Sequence, residues 1–463
     1  MTQLAIEITT ECLAALGLQP PPADVLRFTG DGALESRFPV TELAAASQAT
    51  VALVLRRLIE ATHQSAPSVT IDRRLASGWF QPTIRPLGWE IPGPWDSIAG
   101  DYRCRDGWIR LHTNAPLHRA AAQRVLGAHD DKAAMASAVA QWQGEELETS
   151  IVQAGGCAAR MLAASQWQLH PQGSVVNHEP LIDLQTDELS THQSKPDPAP
   201  VSRPLHGVKV LDLTRVLAGP VATRLLAGYG AQVLRLDPLD WDEPAVVPDV
   251  TLGKRCARLN LRTEAGQAQF QSLLSQADVL VHGYRADALE RLGLDGATRR
   301  AIRPGLVDVC LNAYGWQGPW AHRRGFDSLV QMSSGIAELG MRWRGVDSPV
   351  PLPVQALDYA TGFLMAASAI EGLTRRRESG HGLTARLSLA RTAALLFGHL
   401  QENADDGSET IKAFSSDDYS PATEQTTWGP AKRLKPAIDV SKVPMHWETG
   451  ASQLGTHEPV WMS

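Results

Sequence analysis

Short apolar runs separated by turn residues dominate the second half of the chain. Val208–Leu213 is rich in β-branched residues, which is typical of a strand buried on both faces of a parallel sheet. A turn with Gly219 and Pro220 follows, then a helical pattern over Val221–Gly228 and a strand pattern over Ala231–Leu236. This order predicts a βαβ unit with a crossover of fixed hand, and therefore a doubly wound sheet.

The same alternation continues along the chain. The pattern predicts a helix over about Glu264–Gln276 and strands over Ala277–Val281 and Leu306–Leu311. The loop after the first strand, LTRVLAGP, lacks the GxGxxG pattern that lets a backbone pack against a pyrophosphate. We therefore predict an α/β fold with a mainly parallel, Rossmann-like sheet, and we do not expect a nicotinamide or flavin enzyme.

A different pattern precedes the sheet region. In GDYRCRDGWIRLHTN, two short alternating runs flank Asp106 and Gly107, which indicates a β-hairpin. Helical patterns follow over about Ala115–Leu126 and Lys132–Ala154. Residues 100–184 are therefore predicted to form a smaller α+β domain.

Composition divides the rest of the chain. The polar, proline-rich segment 185–204 is predicted to be a linker, and the large α/β domain follows over residues 205–400. Residues 1–85 contain a helix predicted over Glu42–Thr62, and residues 401–463 form a tail of low regularity.

One internal similarity relates the N-terminal segment to the large α/β domain. Residues 40–76 align with residues 354–390 at a constant offset of 314, with eight identities over 37 positions and no gap. Both stretches predict a helix rich in small residues, a basic end, a polar turn and a strand. Residues 1–85 are therefore predicted to be a partial repeat, in which Ala44 stands where the later copy has Asp358.

Charge and composition exclude several classes of protein. The 463 residues include 43 basic and 50 acidic side chains, which argues against an electrostatic nucleic-acid binder. The five cysteines are scattered without a CxxC pair, which indicates reduced thiols in a cytoplasm. The N-terminus lacks the basic region of a signal peptide, and no apolar run approaches the roughly 20 residues of a membrane span. No HxxxH, HExxH or GxSxG occurs, so neither a metal site nor a serine hydrolase is predicted.

Six ordered blocks over about 180 residues resemble the family III CoA-transferases, which include formyl-CoA transferase, carnitine CoA-transferase and the α-methylacyl-CoA racemases. The blocks are GVKVLDLTRVLAGPVATRLLAGYGAQVLRLD (207–237), GKRCARLNL (253–261), ADVLVHGYRADALERLGL (277–294), AYGWQGP (313–319), RGFDSLVQMSSG (324–335) and ALDYATGFLMAASAIEGLTRRRESGHG (356–382). Residues 100–184 resemble the family's small domain, and the tail resembles its closing segment. Because the small domain precedes the sheet half here, the resemblance implies a rearranged member.

The resemblance implies that Asp358 is the catalytic nucleophile. Attack of its carboxylate on an acyl-CoA thioester gives a mixed anhydride, and exchange with an acceptor acid then proceeds through an aspartyl-CoA thioester. The start of a helix next to this carboxylate favours its ionised form. The alternative role for Asp358 is an ordinary helix cap.

Asp327 is the other acidic candidate in the resembling blocks. It follows a turn and precedes an apolar helix, so we interpret it as the N-cap of that helix. The racemase branch resembles this region but has a histidine base immediately before the aspartate. This chain has Phe326 there, and a phenyl ring cannot transfer a proton, which argues against racemase activity.

The resemblance also implies where CoA binds. The turn from Thr214 to Ala218 corresponds to the loop that receives the nucleotide, and basic side chains nearby suit its phosphates. The residues predicted to contact CoA are Arg215, Val216, Leu217, Ala218, Lys254, Arg255 and Arg291. For the three later basic residues, a solvated surface charge is the alternative.

The sequence thus predicts a CoA-transferase that takes acyl-CoA and a carboxylic acid as substrates and binds no permanent cofactor, metal, nucleic acid or membrane. Family members are interlocked dimers, so the resemblance implies a homodimer. The altered domain order and Ala44 leave open a second class, a non-catalytic acyl-CoA-binding or scaffolding subunit.

Overall fold

A large sheet and three small sheets organise the molecule. The computed structural model describes residues 2–63, 65–190, 199–283, 287–401 and 409–462. Within these residues, one sheet has seven strands and three sheets have three strands each, with helices packed around them. None of the described helices is long and apolar enough to cross a membrane.

In the part of the chain before the large sheet, helices contain more residues than strands. Its helices are α1 (Thr2–Ala15), α2 (Val40–His63), α3 (Arg73–Gly78), α4 (Pro116–Leu126), α5 (Lys132–Val139), α6 (Gly144–Gln153), α7 (Ala164–Leu169) and α8 (Pro171–Val176). Its strands are β1 (Leu26–Thr29), β2 (Val69–Asp72), β3 (Ile84–Pro86), β4 (Gly100–Cys104), β5 (Gly107–Leu111) and β6 (Ala158–Arg160).

Strands and helices alternate from residue 183 onward. The strands are β7 (Asp183–Ser190), β8 (Lys209–Leu213), β9 (Gln232–Asp237), β10 (Lys254–Arg258), β11 (Val279–His282), β12 (Val307–Asn312), β13 (His381–Ser388), β14 (Glu424–Thr426), β15 (Gly429–Arg433) and β16 (Ile438–Val440). The helices are α9 (Ala218–Gly228), α10 (Val247–Val250), α11 (Glu264–Leu274), α12 (Gly296–Ile302), α13 (Asp327–Ser334), α14 (Ile336–Arg344), α15 (Ala356–Ser379) and α16 (Leu389–Gly398), with 3₁₀ turns at Glu290–Leu292 and Ser416–Asp418.

The large sheet confirms the predicted fold class. Its strand order is β10-β9-β8-β11-β12-β13-β7, and all neighbours are parallel except β7, which is antiparallel at one edge. Adjacent side chains of β8 enter different apolar clusters: Val210 packs in the cluster that contains α9 and α15, and Leu211 packs with Phe270 of α11. Helices therefore cover both faces, as expected for a doubly wound sheet.

The start of the predicted linker belongs to this sheet. Residues 185–190 continue strand β7, which pairs antiparallel with β13 from Asp183 to Ser190. Polar side chains are compatible with an edge strand because the ladder with β13 is made by backbone groups. Residues 191–198 of the predicted linker lie outside the described residues.

The hairpin region differs from its prediction in one helix. β4 and β5 pair antiparallel around residues 105–106, as the alternating pattern predicts. The helix predicted over Lys132–Ala154 is instead two helices, α5 and α6. Between them the Gly144 amide donates to Asp106 Oδ1 at 2.7 Å, and the Arg105 amide donates to the Trp142 carbonyl at 2.9 Å. A continuous helix would use these backbone groups internally, so contacts with the hairpin turn favour the break.

Residues 1–85 pack directly on the large sheet domain. α2 lies along α15, and one apolar cluster contains side chains of α2, α15 and β8. β2 pairs with β16 and β3 pairs with β15, so the tail closes over this segment. α2 and α15 each have 24 residues, and each is followed by a strand and a shorter helix. This common order agrees with the repeat, which stays a prediction.

Candidate active site

The candidate site lies at the carboxyl ends of the parallel strands. The order of the strands reverses between β8 and β11, and this is the position where open α/β sheets bind ligands. The turn 214–217 leaves β8 at this edge. α15 precedes the parallel strand β13, so its first turn, with Asp358, begins at the same edge.

A buried network shapes the turn after β8. Asp212, at no measurable exposure, accepts hydrogen bonds from the Thr214 amide at 2.9 Å and the Thr223 hydroxyl at 2.5 Å. Burial alone would raise the pKa of Asp212, but the nearby Lys254 and Arg235 outweigh it and hold the pKa below its usual range. An ionised carboxylate therefore joins both ends of the turn.

Lys254 belongs to this network and does not reach solvent. Its Nζ donates to Asp212 Oδ2 at 2.9 Å, to the Pro220 carbonyl at 2.9 Å and to the Thr223 hydroxyl at 2.6 Å. The side chain is fully buried, and burial lowers the pKa of Lys254. The structure therefore contradicts the prediction that Lys254 presents its charge to CoA phosphates, and it also contradicts the surface alternative.

Arg255 points away from Lys254 because neighbouring residues of a strand alternate sides. Its Nη1 donates to the Val460 carbonyl at 2.7 Å, so the guanidinium holds the C-terminal tail. The predicted contact of Arg255 with CoA stays a prediction. Arg291 is 69% exposed, pairs with Asp287 at 2.5 Å, and follows β11, the neighbour of β8, so its predicted contact with CoA stays a prediction.

The turn itself has an unusual backbone. Val216 has φ 64°, a conformation that a β-branched residue rarely adopts. Its amide donates to Glu243 Oε2 at 2.9 Å, and Glu243 Oε1 accepts from the buried Arg235 at 2.5 Å. The Arg215 guanidinium lies over the Trp241 ring at 4.7 Å. Residues after β9 therefore hold the turn, a contact that local sequence did not reveal.

Gly362 brings this turn against α15. A Cβ atom added to Gly362 would lie 2.4 Å from the Ala218 carbonyl oxygen and 3.2 Å from Val221 Cβ. Gly362 is about one helical turn after Asp358. The structure thus places the predicted CoA turn, including Ala218, beside the helix that carries Asp358.

Replacing Gly362 with alanine is expected to weaken CoA binding at least tenfold, because the new methyl group must displace the backbone at Ala218. Isothermal titration with CoA measures the effect. Gly398→Ala is the control, since a Cβ there has no neighbour within 4 Å. Unchanged CoA affinity in Gly362→Ala would show that the turn does not contact CoA.

Asp358 is buried, with 9% exposure, near the start of α15. No described residue donates a hydrogen bond to its carboxylate. Burial, and then the neighbouring Asp327, raise the pKa of Asp358 well above its usual range. The predicted influence of the helix N-terminus is therefore outweighed, because desolvation penalises the ionised form more strongly.

Asp327 supplies the cap of α15. Its Oδ2 accepts from the amides of Leu357 at 2.9 Å and Asp358 at 3.1 Å, and its Oδ1 accepts from Gln331 Nε2 at 2.5 Å. The prediction that Asp327 caps its own helix is wrong, since its side chain makes no cap bond to α13. The capping role considered for Asp358 is thus performed by Asp327. Burial raises the pKa of Asp327 to about 6, against the lowering effect of these hydrogen bonds.

Two histidines that the sequence did not suggest contact the residue before Asp327. The His112 ring stacks on Phe326 with centroids 3.8 Å apart, and His118 meets the same ring edge-on at 5.8 Å. Burial lowers the pKa of His112 to about 3 and that of His118 to about 4, so both rings are neutral near pH 7. More than 200 residues separate them from Phe326, so no local pattern indicated this contact.

The fold and this carboxylate site define an α/β protein with an acidic group at the switch point of its sheet. Residues 205–418 match CoA-transferase family III. This part of the chain is therefore similar to that family, in agreement with the resemblance.

Similar proteins carry transferase names. The chain is 35% identical over 189 residues to an acetyl-coenzyme A transferase of Hypoxylon pulicicidum, covering 40% of this chain and 32% of the relative. It is 32% identical over 194 residues to the succinyl-CoA:glutarate CoA-transferase of Mus musculus, covering 39% and 44%. A solved hypothetical protein from Mycobacterium tuberculosis has 29% identity, 45% and 59% coverage and a TM-score of 0.39. The chain thus spans about a third to a half of the length of these curated relatives.

Proposed function

We propose that this chain moves CoA from an acyl-CoA donor to a carboxylic acid acceptor, with Asp358 as the covalent nucleophile. The observation that carries the proposal is the position of Asp358. Its carboxylate has no hydrogen-bond donor among the described residues, and its helix packs against the turn that contains Ala218. The names of similar proteins support the transfer of CoA, which is one part of this proposal.

The proposed reaction begins with two acyl transfers. An Asp358 oxygen attacks the thioester carbonyl, the C–S bond breaks, and CoA leaves as a thiolate from an aspartyl mixed anhydride. The thiolate then attacks the aspartyl carbonyl, which releases the donor acid as a carboxylate and leaves an aspartyl-CoA thioester.

The second half reverses these transfers with the acceptor. The acceptor carboxylate attacks the aspartyl-CoA thioester, which forms a new mixed anhydride and again releases CoA thiolate. The thiolate attacks the acceptor carbonyl, and the products are the new acyl-CoA and the free Asp358 carboxylate. No proton or electron is gained or lost over the cycle.

We propose that CoA lies over the turn after β8. Leu217 and Ala218 are at the start of α9, where backbone N–H groups and the helix dipole favour phosphate. Arg215 directly follows β8, Arg291 lies in the 3₁₀ turn after the adjacent strand β11, and both would add positive charge. Lys254 would act indirectly, by holding the turn through Asp212.

We further propose a homodimer and a reducing compartment such as the cytoplasm. The family resemblance supports the dimer, including its interlocked form, and sedimentation analysis of the purified chain tests it. The compartment is supported by the five cysteines, which are all buried and unpaired. Burial raises the pKa of Cys12 and of Cys157 to about 12, which keeps these thiols unreactive.

A non-catalytic acyl-CoA-binding subunit is the second candidate. The raised pKa of Asp358 favours it, because a protonated carboxyl group is a poor nucleophile. The absence of a carboxylate at Ala44 means that the N-terminal copy could not replace Asp358.

Mass spectrometry after incubation with a panel of acyl-CoAs, followed by hydroxylamine, separates these candidates. A hydroxamate on the peptide that contains Asp358 supports the transferase and identifies the donor. Binding of CoA without labelling by any donor supports the binding subunit. Loss of α-deuterium from a 2-methylacyl-CoA would instead indicate a racemase.

Asp327→Asn is expected to shift the pH dependence of Asp358 labelling to lower pH. The charge of Asp327 raises the pKa of Asp358, so its removal lets the nucleophile ionise at lower pH. An asparagine oxygen can still accept hydrogen bonds from the α15 amides. Labelling rates measured between about pH 4 and pH 9 check the shift, with the exposed Asp24→Asn as control. An unchanged midpoint would mean that the two carboxyl groups do not interact.

Asp327→Asn should also change how the stability of the protein depends on pH. Native Asp327 binds its proton more tightly than the unfolded chain does, since its pKa rises from 3.8 to about 6. The free energy of unfolding of the native protein should therefore fall as the pH rises from 3.8 to about 6, and that of Asp327→Asn should fall less. Urea unfolding at several pH values measures the difference.

A further inference from the structure

A cavity of about 120 Å³ lies outside the candidate active site, between three segments of the chain. Residues 35–38 of the N-terminal segment form one side, α14 forms the second, and residues 350–353 form the third. Neither Asp358 nor the turn 214–218 lines this cavity. A small ligand enclosed here would therefore not contact the proposed nucleophile.

The wall formed by residues 350–353 is held in place by backbone contacts. The Val350 amide donates to the Ala337 carbonyl of α14 at 3.1 Å, and the Leu352 amide donates to Gln331 Oε1 at 2.7 Å. A Cβ atom added to Gly340 would lie 2.2 Å from the Val350 carbonyl oxygen, so α14 packs directly against this segment. The wall is thus already ordered, and a ligand would not have to order it on binding.

Arg37 supplies an unpaired positive charge to this cavity. Its Nη1 is buried, and its guanidinium forms no hydrogen bond or ion pair with any described residue. The other charged residues of the lining, Arg344 and Glu35, pair with each other at 2.5 Å. The hydrogen bond from Arg344 lowers the pKa of Glu35, so the pair is ionised near pH 7 and adds no net charge. The net positive charge of the lining is therefore that of Arg37.

The rest of the lining is mostly apolar. Phe38, Ile336 and Leu352 are buried. Trp343 is 37% exposed, and the Arg344 guanidinium lies over its ring at 4.6 Å. An anion that is polar on all sides would lose its water against these side chains without gaining hydrogen bonds. The lining therefore suits a molecule with one anionic end and one apolar end.

We propose that this cavity binds a short aliphatic monocarboxylate of about three or four carbons, with its carboxylate on Arg37. An apolar cavity of about 150 Å³ takes benzene, so a cavity of about 120 Å³ takes roughly five non-hydrogen atoms. Propionate is a molecule of this size. A planar guanidinium binds a carboxylate through two parallel hydrogen bonds, and Arg37 has donors free to make them. The site goes beyond the proposed function, since it needs no reaction at Asp358.

Propionate and propionamide form a matched pair of probes, which are nearly equal in shape and differ in charge. Fluorine NMR of the full chain, labelled with fluorotryptophan, observes this cavity separately from any other acid site. The chain has 13 tryptophans, and the resonance that disappears in Trp343→Phe is that of Trp343. Titration of this resonance should show that propionate binds at least tenfold more tightly than propionamide.

Arg37→Gln should remove the response of the Trp343 resonance to propionate. Arg27→Gln is the matched control, because Arg27 is an exposed arginine of the same N-terminal segment and does not line the cavity. Arg37→Lys serves as a second variant if the glutamine variant fails to fold. It keeps the charge but not the paired hydrogen bonds, so it should bind propionate more weakly than the unchanged chain does.

Four results would overturn the proposal. These are a Trp343 resonance that does not respond to propionate, equal affinity for propionate and propionamide, a response that persists unchanged in the Arg37 variants, and tighter binding of inorganic phosphate than of propionate. Labelling of Asp358 by acyl-CoA is measured separately. Its success or failure decides the proposed function and leaves the result at this cavity unchanged.

Discussion

Replacing Asp358 with asparagine is expected to reduce CoA transfer by about a thousandfold or more and to abolish the hydroxamate. The amide cannot form the mixed anhydride, so every covalent step is lost. The effect on folding should be small, because the Asp358 carboxylate has no hydrogen-bond donor among the described residues and is destabilised by burial. Turnover assays and urea unfolding of the same preparation measure the two effects.

Asp24→Asn is a suitable control for this substitution. Asp24 is exposed and lies outside the site, so the turnover of Asp24→Asn should equal that of the unchanged chain. If Asp358→Asn retained turnover, or if the hydroxamate appeared on another peptide, Asp358 would not be the nucleophile. A folded variant that binds CoA but transfers nothing would separate chemistry from binding.

Replacing Lys254 with methionine is expected to lower the free energy of unfolding by about 3–5 kcal/mol, because it leaves the buried Asp212 carboxylate without its main cation. The turn after β8 would lose its anchor to Pro220 and Thr223 at the same time. CoA affinity should therefore fall with stability. Urea unfolding and CoA titration measure both.

The double variant Asp212→Asn with Lys254→Met tests whether the two buried charges are coupled. It removes both charges, so it should recover much of the lost stability relative to Lys254→Met alone. Arg255→Met is the matched control. Arg255 follows Lys254 in the same strand and donates hydrogen bonds to carbonyl groups of the tail, so its replacement should lower the free energy of unfolding much less. A double variant as unstable as Lys254→Met would show that the two charges are not coupled.

The apolar pattern was sufficient to predict the large sheet. Strands β8, β9, β11 and β12 lie within a few residues of their predicted runs, because a strand buried on both faces has a continuous apolar signal. β7 was missed since its residues are polar and its place depends on backbone pairing with β13. The break between α5 and α6 was missed for a similar reason, as it depends on the hairpin turn.

In the candidate site too, local features could be predicted from the sequence, whereas long-range contacts could not. The sequence by itself determined the family resemblance, the candidate Asp358 and the turn that ends at Ala218, because these features are local motifs. Only the tertiary structure decided that Lys254 faces Asp212 and that Asp327 caps α15. These choices depend on pairs of groups that are 30 or more residues apart in sequence, and burial makes each unpaired group costly. A linear pattern records which groups are present, but their partners are selected only when the chain packs.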